Sequence, residues 1–337
     1  MQRFLARARV GVWFPWVALV GGVAVTGVEG NLLLIGTLTT AAIMALWGVS
    51  FNFIWGFAGQ FSMAQIGLGG LSAYVTALLV TKAAWSFWPA CGIGIGAAVL
   101  ASAVLGLASL RLAGFQFAIM TLAFVLLMIS VTQDSAFAGR DTGIVAPFHF
   151  GSVNLGVLRW NLDSQTGGFL GLVTVSLVAV LVLTSCILRT RTGRALVALR
   201  EDEILGQSVG IRASTYRLIA FAISAVIAGA AGELYAGYLR YLTPDFFGFD
   251  TLITLIVIVV LGGRGYSFGP VVGAAIYYGL VQYLNLSPGV FGVVLICMVL
   301  LAPDGILGLL DARRSRARFA ILRGLRRGHS PLPTASK

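Results

Sequence analysis

The sequence predicts an all-α integral membrane protein with about ten transmembrane helices, some of them short or broken, and with both termini in the cytoplasm. Of its 337 residues, 58% are hydrophobic and only 10% are charged, whereas soluble domains carry about 25% charged residues. The charges are nearly confined to gaps between long apolar stretches, and most of the positive ones fall on one side of the predicted spans. A water-soluble fold cannot bury this much apolar surface, so part of the folded chain must be surrounded by lipid.

The predicted spans follow the longest stretches without a charged residue. A helix needs about 20 residues to cross the hydrocarbon core, so two of these stretches are long enough for two crossings each. The first is divided at 56–62, which is rich in glycine and polar residues, and the second at 285–289, which holds turn-forming residues. Before division, the stretches are 10–28, 30–81, 83–110, 112–133, 164–188, 218–232, 251–263 and 265–303.

The distribution of positive charge predicts the orientation. If the N-terminus is cytoplasmic, all but four of the 23 Lys and Arg residues fall in segments on the inner side. The four exceptions are Lys82, Arg140, Arg159 and Arg240. Cytoplasmic loops of membrane proteins are enriched in Lys and Arg, and one omitted or added span would spoil the pattern. Both termini are therefore predicted inside, and the first apolar run is interpreted as an uncleaved helix rather than a cleaved secretory signal.

The sequence predicts a transmembrane domain, 1–310, and a basic cytoplasmic tail, 311–337, that is expected to be flexible. The tail holds eight of the Lys and Arg residues, and so it accounts for much of the net charge of +11. A basic tail beside membrane spans is typical of contact with anionic lipid headgroups, and nucleic-acid binding is not predicted. Two histidines and three widely separated cysteines give no metal site and no catalytic cluster, so no enzymatic activity is predicted for the chain itself.

The longest polar segment on the inner side is 189–217. Helix-forming residues from Arg194 to about Gln207 predict one amphipathic helix, and Gly210 is placed to end it. A cytoplasmic helix held between two spans offers a surface that another protein can bind. The alternative is a solvated loop whose arginines only anchor the topology, and the pattern alone leaves both open.

Several motifs in a fixed order resemble one family of transport proteins. Within 189–217, residues 191–203 have the pattern R-x-G-R-A-L-x-A-x-R-E-D-E. The other matching segments are GFAGQFSMAQIGLGGLSAY at 56–74, LRLAGFQFAIMTLAF at 110–124, AFAISAVIAGAAGELYAG at 220–237, VVLGGRGYSFGPVVGAA at 259–275 and LAPDGILG at 301–308. Together they resemble the branched-chain amino acid ABC transporter permeases of the LivM type, and the order of several motifs is more specific than any single one.

The resemblance implies the membrane-spanning permease subunit of a binding-protein-dependent importer in the bacterial cytoplasmic membrane. Such a subunit would move branched-chain or related small amino acids, or amide- or urea-like solutes, by ATP-driven alternating access. The implied partners are a second permease subunit, two cytoplasmic ATP-binding subunits and a periplasmic solute-binding protein. The residues implied to couple the permease to the ATPases are Arg194, Arg200, Glu201, Asp202, Glu203 and Gly210. The sequence has no GxxxxGK[ST] loop, so ATP is expected to be used by partner subunits, and no cofactor is expected on this chain.

Four residues are candidates for the translocation pathway. Glu233 lies at the end of an apolar run, and an ionisable residue within a span is a functional candidate. Facing the pathway, it would attract the ammonium group of an amino acid, while Gln60, Ser62 and Thr121 would offer hydrogen bonds.

Each of these candidates has an alternative. Glu233 is equally compatible with a position at the membrane interface near Arg240 and Tyr241, and Gln60 and Ser62 with satisfying the ends of a broken helix. The alternative function for the whole chain is an ion-coupled secondary transporter in which Glu233 binds the proton or cation.

Overall fold

The structure is a computed structural model that describes residues 32–109, 112, 114–146, 148, 152–155, 158–161, 167–284 and 305–309. The predicted first span at 10–28, the division at 285–289 and the tail at 311–337 lie outside the described residues. The total of ten spans and the position of both termini therefore stay predictions.

The described part of the chain is mainly helical, as predicted. The helices are α1 Leu32–Asn52, α2 Ala64–Lys82, α3 Phe87–Ser109, α4 Phe115–Asp134, α5 Gly167–Arg189, α6 Arg191–Glu201, α7 Glu203–Ser208, α8 Ala213–Leu239, α9 Phe249–Gly262 and α10 Gly269–Leu284. Within the described residues, seven helical segments are long and apolar enough to cross a membrane. They correspond to predicted spans, although α8 extends beyond the expected 218–232 at both ends.

The predicted break in the long apolar stretch 30–81 is confirmed. Helix α1 continues as a π-helical turn, Phe53–Phe57, and α2 begins only at Ala64. The glycines and polar residues of this segment favour non-helical backbone, which explains why the sequence signal was sufficient here.

The prediction of one helix from Arg194 to about Gln207 is wrong. The structure has two helices, α6 and α7, separated at Asp202, whose backbone is extended with φ −154° and ψ 111°. The Asp202 carboxylate accepts a hydrogen bond from the Leu205 backbone amide at 3.0 Å. Aspartate is a favoured N-cap residue, so Asp202 starts a second helix instead of continuing the first. Gly210 follows α7 with φ +86°, a left-handed backbone conformation suited to the end of a helix.

Loops gather at two opposite ends of the bundle. At one, called here the inner end, the segments 53–63, 189–212 and 263–268 contact one another. At the other, the outer end, Lys82 lies over the Phe137 ring and the Tyr241 hydroxyl donates to the Thr142 carbonyl. These are the two groups of loops that the positive-inside pattern assigns to opposite sides.

The outer end also contains short strands that the sequence did not predict. Strand β1, Ile144–Val145, pairs antiparallel with β4, Tyr241–Leu242, and β2, Ser152–Leu155, pairs antiparallel with β3, Leu158–Asn161. Strands of two to four residues are too short for an alternating apolar pattern, so periodicity cannot reveal them.

The centre of the bundle is a close packing of α2, α3 and α8. The backbones of α2 and α8 meet at Gly69 and Gly232. From α1, the Trp47 indole nitrogen donates to the Gln65 carbonyl oxygen at 2.9 Å, and the Ser50 hydroxyl oxygen lies 2.7 Å from the Gln65 side-chain oxygen. Small residues at helix interfaces and hydrogen bonds between helices are the two means by which membrane helices associate without a hydrophobic driving force.

Replacing Gly232 with alanine is expected to destabilise the bundle. The added methyl carbon would lie 2.1 Å from the Gly69 carbonyl oxygen, which belongs to a helix backbone and cannot yield without separating α2 from α8. Overpacking of this kind costs about 1–3 kcal/mol. Gly92→Ala in α3 is the matched control, because nothing lies within 4 Å of a methyl group added there. Thermal unfolding in detergent micelles measures both variants, and equal melting temperatures would contradict the close approach of α2 and α8.

Candidate functional site

Helix α6 is fixed to the bundle along one face. Its Leu196 and Leu199 side chains are buried, and Leu196 packs in an apolar cluster with Phe53 and Phe57 of the π-helical turn and Ala220 of α8. The Thr190 hydroxyl accepts a hydrogen bond from the Gly193 amide at 3.4 Å and so caps the start of the helix. Because one face is packed, α6 can move only together with the residues that it contacts.

Helix α7 is attached by an ion pair and presents apolar side chains to solvent. The Glu203 carboxylate pairs with the Arg217 guanidinium of α8, and it also accepts a hydrogen bond from the Gln207 side-chain amide at 3.2 Å. The exposed fractions of the side chains of Ile204, Leu205 and Val209 are 83%, 65% and 72%. Grouped apolar side chains that are exposed within an otherwise polar segment are typical of protein contact surfaces.

The six predicted coupling residues do not share one face. Arg194, Glu201, Asp202 and Gly210 are exposed, and Arg194 donates to the Arg189 carbonyl oxygen at 2.8 Å. Glu203 is half-buried because of its pairing with α8. Arg200 instead turns inward, and its guanidinium donates to the backbone carbonyl of Gly56 in the π-helical turn. The structure therefore separates an outward-facing group of residues from one inward-facing arginine.

Asn52, at the end of α1, is a buried polar residue that sequence reasoning missed. Its side-chain nitrogen donates to the Tyr266 carbonyl oxygen at 2.8 Å, and its side-chain oxygen accepts from the Gly265 amide at 2.9 Å. The exposed fraction of Asn52 is 1%. The sequence does contain a signal for Asn52. It is an amide side chain within an apolar run, four residues before the predicted break at Gly56.

The predicted pathway residues Ser62 and Thr121 both bind backbone at the start of α2. The Ser62 hydroxyl accepts from the Ala64 amide at 3.3 Å, and the Thr121 hydroxyl accepts from the Met63 amide at 3.0 Å. These are the contacts that the broken-helix alternative requires, since the first amides of a helix have no partner within it.

Gln60, the third of the pathway candidates in this part of the chain, is partly exposed. It lines a cleft of about 490 Å³ at the inner end. Arg200, Glu203 and Arg217 line the same cleft, as do several apolar side chains. The cleft is thus continuous with the inner-end segment that carries the predicted coupling residues.

Glu233 lies inside the bundle, with 1% of its surface exposed. Its carboxylate accepts hydrogen bonds from the Ser72 hydroxyl at 2.6 Å and the Thr76 hydroxyl at 3.0 Å, both on α2, and from the Cys91 thiol on α3. The Tyr241 hydroxyl instead donates to the Thr142 carbonyl at the outer end. The neutral donors around Glu233 join α2, α3 and α8 through a single side chain.

Comparison with known proteins identifies relatives over most of the chain. Residues 33–303 match the family model described as branched-chain amino acid transport system / permease component. The chain is 32% identical over 295 residues to the high-affinity branched-chain amino acid transport system permease protein LivM of Escherichia coli, covering 81% of this chain and 69% of the relative. It is 26% identical over 300 residues to the LivH permease protein of Salmonella typhimurium, covering 80% of this chain and 93% of the relative. No solved structure matches the chain significantly.

The contacts of Glu233 predict that its removal destabilises the packing of α2, α3 and α8. Glu233→Ala removes the acceptor of the buried Ser72 hydroxyl, which costs about 1–3 kcal/mol for an unsatisfied group. The Thr76 hydroxyl keeps the Ala90 carbonyl as an acceptor. Glu233→Gln keeps the side-chain volume and one acceptor oxygen, so a smaller loss is expected. Asp250→Asn, at an exposed carboxylate in the first turn of α9, is the control. Thermal unfolding in detergent is the measurement, and a melting temperature of Glu233→Ala equal to that of the control would refute the prediction.

Proposed function

The chain belongs to the family of branched-chain amino acid transport system permease components, and we propose that it is the membrane-spanning subunit of an importer driven by ATP hydrolysis in separate subunits. It is a multi-pass protein of the bacterial inner membrane. The proposed solutes are branched-chain or related small amino acids, or amide- or urea-like molecules, which cross by alternating access.

The inner-end segment carries this proposal. Helices α6 and α7 are joined to the bundle through a packed apolar face and an ion pair, and they expose charged and apolar residues on the other side. A partner that binds the exposed side can shift the permease only if its contacts differ between two states of the permease. A rigid attachment of α6 to the π-helical turn supplies the mechanical link that such a mechanism needs.

The partners follow from the same assignment. Two cytoplasmic ATP-binding subunits would bind the exposed side of α6 and α7, and they would hold the nucleotide, so that this chain binds no cofactor. Similarity to relatives named LivM and to relatives named LivH supports a second, related permease subunit as the other half of the pathway. A periplasmic solute-binding protein would deliver the solute and impose most of the selectivity.

The ATP-driven mechanism is separated from the ion-coupled alternative by its energy source. We expect uptake of radiolabelled leucine, together with the binding protein, to stop when the ATPase subunits are inactivated. An uncoupler should leave uptake unchanged while ATP is maintained. We also expect Glu233→Gln to keep ATP-dependent uptake. Loss of uptake on uncoupling, with the ATP concentration held constant, would favour an ion site at Glu233 instead.

Reversing the charge of Glu203 is expected to uncouple ATP hydrolysis from transport. Glu203→Lys places a lysine against Arg217, and the repulsion would detach α7 from α8 while the spans still insert. Uptake per ATP hydrolysed is the measurement, with membrane insertion as the control. The double variant Glu203→Lys, Arg217→Glu restores the opposite charges and should recover part of the uptake. Unchanged uptake by the single variant would count against the coupling role.

The exposed apolar residues of α7 are expected to contribute directly to binding of the ATPase subunit. Replacing Ile204 or Leu205 with aspartate should weaken that association by about tenfold or more, because a charge would be buried in the contact. Val145→Asp is the matched control, since Val145 is equally exposed but lies in β1 at the outer end. Co-purification of the ATPase subunits with each variant measures the effect. Equal recovery for all three variants would exclude α7 from the contact.

A further inference from the structure

The inward-facing Arg200 lies between two backbone turns that belong to different helix pairs. Its guanidinium donates to the Gly56 carbonyl. A methyl carbon added at Gly59 would lie 2.9 Å from the Arg200 side-chain Cγ, and one added at Gly265 would lie 2.9 Å from its Nη1. The arginine thus contacts the turn between α1 and α2 through both its stem and its guanidinium, and the guanidinium also lies beside the turn between α9 and α10.

Asn52 joins the same two turns from the bundle side. It lies one turn before Gly56 on the same helix, and its amide binds both the amide of Gly265 and the carbonyl of Tyr266. A methyl carbon added at Gly56 would lie 2.1 Å from the Asn52 side-chain oxygen and 2.7 Å from the Gly265 nitrogen, so no side chain separates the two backbones here. We call the group Asn52, Gly56, Gly59, Arg200 and Gly265 the inner clamp.

We propose that Arg200 and Asn52 are positioning residues that transmit displacement of α6 to the turns at 56–63 and 263–268. The helix pair α1 and α2 would then move together with the pair α9 and α10. This inference rests on the proposed coupling role of α6 and α7. It assigns Arg200 to transmission within the permease rather than to contact with the ATPase, and it adds Asn52, which no family motif singled out.

The packing explains why a small movement would be transmitted rather than absorbed. Arg200 is in the last turn of α6, whose Leu196 and Leu199 are buried, so the arginine cannot be displaced independently of the helix. On the other side, its contacts include the Gly56 carbonyl and the glycines Gly59 and Gly265, which have no flexible side chain that could yield. Packed elements of this kind shift between discrete arrangements instead of deforming gradually.

The bonds of the inner clamp are also of the strong kind. An arginine that donates to a carbonyl forms a charge-assisted hydrogen bond, about twice as strong as a neutral one. Gly56 is buried in the π-helical turn, so loss of the partner of its carbonyl is costly. Both the donor and the acceptor therefore favour keeping the hydrogen bond between Arg200 and Gly56 intact while α6 moves.

The test uses the assembled transporter in proteoliposomes, with its ATPase subunits, the solute-binding protein and radiolabelled leucine. Arg200→Lys keeps the charge but loses the planar guanidinium. Asn52→Ala removes the hydrogen bonds of Asn52 with Gly265 and Tyr266 without altering α6 or α7. The charge-conserving control is Arg191→Lys, at an exposed position at the start of α6. Assembly, ATP hydrolysis and leucine uptake are measured for each variant.

We expect both clamp variants to co-purify with the ATPase subunits and to hydrolyse ATP, while leucine taken up per ATP falls about tenfold, as is typical for loss of one buried hydrogen-bond partner. The control should stay within about twofold of the original chain. Loss of ATPase co-purification in Arg200→Lys would make Arg200 a docking residue and overturn the proposal. Normal uptake per ATP in Asn52→Ala would overturn it as well. If Asn52→Ala fails to insert, Asn52→Asp replaces it, because it retains the acceptor for the Gly265 amide.

A second measurement separates failure of the inner clamp from failure of the proposed function. Hydrogen exchange of the backbone amides in 263–268 is followed on the detergent-solubilised chain alone, where no ATPase takes part. Faster exchange in Arg200→Lys than in Arg191→Lys supports the clamp, and equal exchange overturns it. If the original chain fails to bind ATPase subunits, the proposed function is what fails, and the exchange result still decides whether Arg200 holds the second turn.

Discussion

The structure depends on one constraint, which is that buried backbone groups at the break between two spans must be satisfied within the protein. The break between α1 and α2 leaves carbonyls at the end of one helix and amides at the start of the next. Arg200 binds the Gly56 carbonyl, whereas Ser62 and Thr121 bind the first amides of α2. The side chains that satisfy this break come from three separate parts of the chain. For that reason the break fixes the relative positions of α1, α4 and α6.

The sequence predicts the features of this protein that depend on local properties. Apolar length and the distribution of charge give the described spans, and the polar residues at 56–62 give the break, because each of these is a property of neighbouring residues. The Asp202 N-cap is local too, but helix propensity on both sides of it masked the interruption. A capping residue within a helical pattern has two interpretations, and only the backbone conformation at Asp202 distinguishes them.

The features that the sequence did not predict depend on distant partners. Asn52 binds residues more than 200 positions away, and β1 pairs with a strand beyond the next two spans. The inward orientation of the Arg200 side chain also depends on a distant partner. Its position in α6 is equally compatible with a side chain that faces solvent, and the contact with the turn at Gly56 is what turns it inward. Glu233 was recognised as exceptional from its place in a span, but its donors on α2 and α3 became evident only from the packing. Periodicity specifies which face of a helix is apolar, whereas it does not specify which polar groups meet.

Glu233 and Arg200 lie in two different parts of the bundle, one suited to stay rigid and one suited to move. Glu233 links α2, α3 and α8, and the backbones of α2 and α8 already meet at Gly69 and Gly232, so its hydrogen bonds reinforce a close packing. Arg200 instead links elements through backbone turns at one end of the bundle, where the flanking helices are interrupted. Arginine suits this position better than lysine, because its planar group contacts two backbones at once and keeps its charge wherever it moves. With Glu233 holding the centre and Arg200 joining the turns at the inner end, force applied to α6 would change the cleft at the inner end before it disturbed the core.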